Sequence, residues 1–300
     1  MHKFLVTTSI FLACLASIAN ADWDPGDYTI MEDPFLPDLS TAGMDMNVSD
    51  MTLAEDFYTC ETSLVTDIHI WGTWLDDVLP EGDTSNVGFT LGLHENAVVE
   101  GPYGPEDKPG VPIWYGNFGQ YTGGYQERYF TVREYATGVG STWLRPSNGE
   151  TSPNAATTCY QYNCHIVIDP PELEWDEHYW LVIRAYPTTE DAKFGLKTSP
   201  EGCCGWSQWT WGGEPLNNPE SWVTVYLGGA VPLSFVVTGP LPGDTDGDGD
   251  VDLSDLAALL AVYGACDGDP NFDATIDYDE SGCIDLPDLA TLLSNYGTGT

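Results

Sequence analysis

The last fifth of the chain sets oxygen-bearing side chains at alternate positions, and does so twice. Asp244-Thr-Asp-Gly-Asp-Gly-Asp-Val-Asp-Leu-Ser-Asp255 is followed 33 residues on by Asp277-Tyr-Asp-Glu-Ser-Gly-Cys-Ile-Asp-Leu-Pro-Asp288. In a twelve-residue loop, oxygens at positions 1, 3 and 5, a carbonyl at 7, a ligand or its water at 9 and a carboxylate at 12 can surround Ca2+. Glycine at position 6, here Gly249 and Gly282, permits the sharp turn that gathers them. The expected cofactor is calcium, at two sites.

Each loop runs into a short helix. Leu256, Leu259 and Leu260 recur as Leu289, Leu292 and Leu293, and Tyr263-Gly264 recurs as Tyr296-Gly297. Leucines at i, i+3 and i+4 give each helix one apolar face, and the two faces are expected to bury each other. A unit this small is marginal alone, so metal binding is expected to supply folding energy.

A duplicated calcium loop followed by one helix, with Asp rather than Glu at position 12 (Asp255, Asp288), resembles a type I dockerin from Gly243 to about Gly297. The resemblance implies a small all-α module that docks onto a cohesin-type module of a scaffold or surface protein, often in polysaccharide-degrading assemblies. It implies Asp244, Asp246, Asp248, Asp250 (through its carbonyl), Asp252 and Asp255 as ligands at the first site. At the second it implies Asp277, Asp279, Ser281, Cys283 (carbonyl), Asp285 and Asp288. Positions 10 and 11 commonly set partner choice in that family, and here they are Leu253-Ser254 and Leu286-Pro287. Ser281 stands where the first loop has Asp248, and ligand charge tunes affinity, so the second site is expected to bind more weakly.

Upstream, Gly205-Trp-Ser-Gln-Trp-Thr-Trp-Gly-Gly213 concentrates three indoles, of which Trp209 and Trp211 share a face if the segment is a strand. Exposed planar rings suit pyranose faces, which makes Trp206, Trp209 and Trp211 candidate sugar-binding residues. Burial in a β core is the competing assignment, and it is the one expected for Trp71, Trp114, Trp180 and Trp222. A glycosidase would need two carboxylates facing each other across a cleft. Glu172, Glu174, Asp176 and Glu177 crowd one turn, but 33 acids lie upstream of the repeats and nothing singles out a pair. There is no Gly-x-Ser-x-Gly elbow, and His69, His94, His165 and His178 read as packed or sheet-surface residues. No catalytic residue is assigned.

The elements that would carry these groups are strands. Asp67 to Trp74, Val87 to His94, Tyr129 to Tyr135, Tyr160 to Ile168, Tyr179 to Tyr186, Trp222 to Leu227 and Leu233 to Thr238 alternate in part or are rich in β-branched and aromatic residues. Turn clusters such as Leu79 to Asp83, Gly101 to Pro105 and Pro146 to Gly149 separate them. The expectation is mainly β: one antiparallel β-sandwich or jelly-roll-like domain over 22–239, a hinge at 240–243, and the helical module at 244–300. Ala54 to Cys60, Thr66 to Trp74, Phe194 to Ser199 and Leu233 to Gly239 are similar to an uncharacterised family of secreted bacterial β domains. That resemblance implies a fold and a compartment but no activity.

Met1-His-Lys3, an apolar run from Phe4 to Ile18 and Ala19-Asn-Ala21 read as a cleaved export signal over 1–21. Phe11-Leu-Ala-Cys14 lacks the aliphatic first residue of a lipoprotein box. The chain is therefore expected to be secreted, extracellular or at the cell surface. Eight Lys and Arg against 47 Asp and Glu give a net charge of −39, which argues against nucleic acid and anionic lipid and for cations. Export makes disulfides plausible. Cys159 and Cys164 are close enough to staple a turn, Cys266 and Cys283 could tie the second loop to the segment before it, and Cys60 is expected to pair with Cys203 or Cys204. No CxxC or CxxH spacing supports zinc. The reading is a calcium-dependent tether carrying a glycan- or surface-binding β domain. The alternatives are a polysaccharide-active enzyme and a structural cell-surface protein.

Overall fold

The computed structural model describes residues 22–101, 104–119, 129–200, 202, 207–211, 218–226, 229–247, 249–279 and 281–298. The expected signal segment, Cys203 and Cys204 lie outside these. Asp22–Leu241 form one compact unit, and the chain from Pro242 to Thr300 belongs to another. No helix among the described residues is long and apolar enough to cross a membrane.

The larger unit is built of strands. In chain order they are Met44–Asn47 (β1), Thr52–Tyr58 (β2), Ser63–Leu64 (β3), Asp67–Trp74 (β4), Val87–Gly101 (β5), Gly104–Gly119 (β6), Phe130–Thr137 (β7) and Ser141–Arg145 (β8). Then come Glu150–Asn154 (β9), Thr158–His165 (β10), Glu172–Leu173 (β11), His178–Pro187 (β12), Phe194–Lys197 (β13), Gln208–Thr210 (β14), Val223–Thr224 (β15) and Phe235–Thr238 (β16). One sheet runs β7-β10-β4-β13-β1-β8-β9, with β16 also on β4, and a second runs β15-β14-β2-β12-β5-β6. β3 and β11 make a small ribbon, and all pairs are antiparallel except β1 with β8.

β4 shows why these residues make this fold. Its period of two sends Ile68, Ile70 and Trp74 into the core between the sheets, and Asp67, His69, Trp71 and Thr73 to the far face. Gly72 lies on the core side, where a Cβ would stand 2.2 Å from Phe194 Cζ and 2.6 Å from the Gly195 carbonyl oxygen, so only glycine lets β13 close up. Rings lock the two sheets together edge to face. Phe89 of β5 meets Tyr162 of β10 at 5.0 Å and Phe194 of β13 at 5.4 Å, and Phe57 of β2 meets Phe235 of β16 at 5.6 Å.

Several sequence expectations change. The sequence places a turn over Gly101 to Pro105 and delimits no strand in the segment that forms β6, which carries Pro105, Pro109 and Pro112. β6 is an edge strand, where a missing backbone N–H leaves no ladder bond unmade on its outer side. Cys159 and Cys164 do not staple a turn. Both lie in β10, five residues apart and therefore on opposite faces, and both are free and buried. Burial pushes the Cys159 thiol up to about 12. Cys60 is likewise a free thiol, weakly bonded to the Thr29 carbonyl at 3.8 Å.

The smaller unit contains two helices, Leu253–Val262 (α1) and Leu286–Ser294 (α2), each preceded by one acidic loop. The copies are interlocked. Val251 of the first loop exchanges backbone bonds with Gly297 and Thr298 beyond α2, and Ile284 of the second does the same with Gly264 and Ala265 beyond α1, all at 2.7–2.9 Å. Thr245 Oγ1 and Tyr278 Oη, at equivalent places in the two loops, meet at 3.0 Å. The Cys266–Cys283 disulfide is present. The leucine faces bury only in part: Leu259 and Leu292 are fully buried, Leu256 and Leu289 half so, and Leu260 and Leu293 are exposed. Val251, Ile276 and Ile284 from the loops fill the core instead.

Glu55 is an exception to the apolar interior of the β unit. It shares the core-facing side of β2 with Leu53 and Phe57 and is fully buried. Burial, with Asp56 beside it, pushes its pKa well above the usual 4.5, although Leu233 N–H donates to Oε2 at 2.9 Å. The folded state therefore keeps a proton that the unfolded chain has released above pH 4.5, and stability falls as pH rises from there through the folded-state value. Glu55→Gln removes that linkage. Scanning calorimetry should show the variant melting a few degrees above the parent near neutral pH, with the gap closing towards pH 4.5. A gap independent of pH would contradict this.

Candidate functional site

The acidic loops of the smaller unit are the densest concentration of ligating groups among the described residues. Asp252 and Asp285 sit at the N-caps of α1 and α2, and Asp255 and Asp288 close a capping box three residues in. That box puts position 12 of each loop in the first helical turn, where the backbone's positive end favours a carboxylate. Both are fully buried. Asp255 accepts from Thr245 N–H (2.7 Å), Asp246 N–H (3.2 Å) and Asp252 N–H (2.7 Å); Asp288 accepts from Tyr278 N–H (2.7 Å) and Asp285 N–H (2.8 Å).

Position 1 closes each loop from the other end. Asp244 accepts from Gly247 and Gly249 N–H at 2.7 and 2.9 Å, and Asp277 from Ser281 and Gly282 N–H at 3.0 and 2.8 Å. The turn at position 6 is left-handed in both copies, with φ of 92° at Gly249 and 83° at Gly282. These constraints bring single oxygens of Asp244, Asp246 and Asp255 within 4.8 Å of one another, and likewise Asp250, Asp252 and Asp255, and Asp277, Asp279 and Asp288. Asp248 lies outside the described residues.

The chemistry of this donor set fits a hard cation. From Asp244 to Thr300 there are 14 acids and no Lys, Arg or His, so no side chain of the unit neutralises the clustered carboxylates. Oxygen-only ligands suit calcium or magnesium rather than a softer metal. The first loop gathers two overlapping trios and the second one. In the second, Ser281 Oγ donates to the Cys283 carbonyl at 3.1 Å, which brings the oxygens of positions 5 and 7 together. Asp250 was expected to act through its carbonyl; its carboxylate also lies within the trio.

The expected partner-contact positions, Leu253, Ser254, Leu286 and Pro287, are all exposed. They open two matching apolar ridges. Leu253 and Leu286 are each 66% exposed and Leu260 and Leu293 each 53%, and Tyr263 and Tyr296 continue the rows. Of these, Leu260 and Leu293 belong to the faces expected to bury each other, and they are exposed instead. Both copies thus expose the same large apolar side chains at equivalent positions.

The tryptophan platform does not form. Trp209 is buried against the core, and Trp211, which is exposed, meets it at 5.3 Å with the rings at 90°. Trp206 lies outside the described residues. β14 is a short strand near the sheet edge that buries Trp209 and ends at Thr210, so Trp211 lies beyond it and its ring stands across that of Trp209. The acids Glu172, Glu174, Asp176 and Glu177 are exposed around a turn. All four described histidines are held: His69 by Asn163 (2.7 Å) and Thr238 (3.3 Å), His94 by the Gly110 carbonyl (3.0 Å) and Tyr115 (2.5 Å), His165 by Asp67 (2.5 Å) and His178 by Asp56 (2.7 Å). Burial pushes the pKa values of His69 and His94 down. Burial alone would raise Asp67, but the hydrogen bond to His165 and the nearby imidazoles hold it below the usual range.

Sequence reasoning passed over Lys197 and Asp45, which form a fully buried ion pair at 3.3 Å. A lysine inside the apolar run Phe194-Gly-Leu-Lys-Thr was the available signal.

Among known proteins, a family described as Domain of unknown function (DUF7901) matches residues 30–238. No curated protein matches the chain, and no solved structure does. The acidic loops lie beyond that match.

The disulfide should hold the smaller unit together when no cation is present. It closes a loop of 17 residues, for which chain entropy gives about 3 kcal/mol. Cys266→Ser with Cys283→Ser is expected to lower the stability of this unit by about that amount in chelator. Melts followed by circular dichroism in the helical region check this, and an unchanged transition would contradict it.

Proposed function

We propose that this chain, which belongs to the DUF7901 family, is an exported two-module tether: a β domain displayed by a calcium-folded, type I dockerin-like unit. The observation that carries this is the doubled carboxylate cradle, Asp244, Asp246 and Asp255 repeated as Asp277, Asp279 and Asp288, in a unit without one basic side chain. Two calcium ions would offset most of its charge, with Asp248, Asp252 and Asp285 as further ligands. Binding would hold position 1 against position 12 and so fix each helix start. The matching ridges led by Leu253 and Leu286 are the surface offered to a cohesin-type module, with Ser254 and Pro287 beside them. The Cys266–Cys283 disulfide supports an oxidising, extracellular setting after cleavage near Ala21.

The β domain is read as the cargo that recognises a glycan or surface component. Its support is narrower: Trp175, Trp211 and Tyr226 present large exposed rings, which suit stacking on sugars. The full chain on an array of plant, algal and microbial polysaccharides should bind, and Trp211→Ala should weaken binding. Absence of binding across the array would contradict the glycan reading without touching the tether.

The tether makes two further predictions. Calorimetric titration of the chelated full chain with Ca2+ should resolve two sites, with Asp279→Ala removing the weaker and Asp246→Ala the tighter. A single site, or a second loop tighter than the first, would contradict the assignment. Leu260→Asp with Leu293→Asp should leave calcium uptake intact and abolish capture by immobilised cohesin modules that bind the parent. Unchanged capture would place the docking surface elsewhere.

A further inference from the structure

The far face of the larger sheet holds a buried polar cluster that neither tethering nor glycan binding uses. Asp45 of β1 and Lys197 of β13 are register partners on neighbouring strands, and both are fully buried. Lys197 Nζ lies 3.3 Å from Asp45 Oδ1, and apart from this contact neither atom has a hydrogen-bond partner among the described residues. The other carboxylate oxygen, Oδ2, accepts from Asn154 Nδ2 at 2.7 Å and from Ser141 Oγ. Asn154, at the end of β9, is also buried, and Nδ2 reaches Thr73 Oγ1 at 3.2 Å. One carboxylate thus bridges a primary amine and a carboxamide.

The carboxamide is polarised from its other end. Asn154 Oδ1 accepts from two backbone N–H groups, Asp76 at 3.1 Å and Ala156 at 3.0 Å. Two amides on one carbonyl oxygen make a site that stabilises negative charge developing there. The turn that supplies the first is strained: Asp76 and Asp77 have φ of 57° and 55°, a left-handed region costly for side chains other than glycine. Asp77 holds that turn against the chain beyond β9 by accepting from Thr157 N–H at 2.9 Å and from its hydroxyl at 2.8 Å. An ion pair placed here for stability alone would be a poor choice, because burying both charges costs more than their attraction returns unless the remaining protons are bonded.

The geometry points to a self-formed isopeptide bond between Lys197 and Asn154, with Asp45 carrying protons between them. A proton passes from Lys197 Nζ to Asp45, which frees the amine lone pair. Nζ attacks Asn154 Cγ, and the charge that builds on Oδ1 is met by the Asp76 and Ala156 N–H groups. The adduct loses a second proton through Asp45 to Nδ2, the Cγ–Nδ2 bond breaks, and the nitrogen leaves with both protons as ammonium. Nζ keeps one hydrogen as an amide N–H, Asp45 returns to carboxylate, and no oxidant, cofactor or energy donor is consumed. The product ties β13 to the end of β9 across the sheet, a brace against unfolding that suits a domain displayed outside the cell.

Mass spectrometry of the secreted full chain tests this without any variant. After disulfide reduction, the intact mass should be lower than that of the processed sequence by one ammonia. A protease digest should yield one branched peptide joining Lys197 to Asn154. Lys197→Arg, which keeps the charge but lacks the nucleophile, should return the full mass. Parent protein at full mass, with Lys197 and Asn154 recovered in separate linear peptides, overturns the proposal. So does a product lighter by one water with Lys197 joined to Asp45, because Asp45 would then be the group attacked.

Discussion

Forty-seven carboxylates share this chain with eight Lys and Arg side chains, so nearly every acid that the fold encloses must find a proton, an amide or a cation from a scarce supply. The larger unit shows several of the available answers. Asp67 takes a histidine, Asp56 another, Asp45 a buried lysine, and Glu55 is pushed towards keeping its proton. Backbone N–H groups at the start of each loop and at each helix N-cap serve Asp255 and Asp288. The smaller unit has no basic residue to offer, and its clustered acids call for an ion from outside. Repulsion among like charges within 4.8 Å is the interaction that calcium would turn from a cost into a source of folding energy.

The same scarcity organises the two modules differently. In the β unit, aromatic rings pack between the sheets, and a second, smaller cluster of Trp23, Trp71 and Tyr135 packs on the far face. In the smaller unit, α1 and α2 bury one leucine each, so loop residues complete the core. That core is modest, and the backbone exchange between Val251 and Ile284 and the opposite helix ends makes neither copy self-sufficient. Loops, disulfide and helix starts are therefore tied to one another, while Leu253, Leu260, Leu286 and Leu293 remain exposed.

Much of this was legible in the residues. β4 was read with both ends right because Ile68 and Ile70 alternate with His69 and Trp71. The twelve-residue loops, the turn glycines and the helix starts were legible because each is a local pattern with a local cause. What was not legible depended on position in the sheet. No local pattern delimits β6, whose Pro105, Pro109 and Pro112 are acceptable only at a sheet edge. Trp209 and Trp211 looked equivalent until the short β14 turned one inward. Cys159 and Cys164 were separated by strand pleat. The Lys197, Asp45 and Asn154 cluster needs three strands distant in sequence, and no spacing along the chain announces it.

The central claim, that cation binding at the doubled acidic loop folds the tether, is met most directly by hydrogen exchange on the full chain with calcium and with chelator. The amides that bind carboxylates across each loop, Thr245, Gly249, Tyr278 and Gly282, should gain strong protection with calcium, while strands β4, β5 and β12 exchange alike in both states. Equal protection of the loop amides with and without calcium would contradict the account.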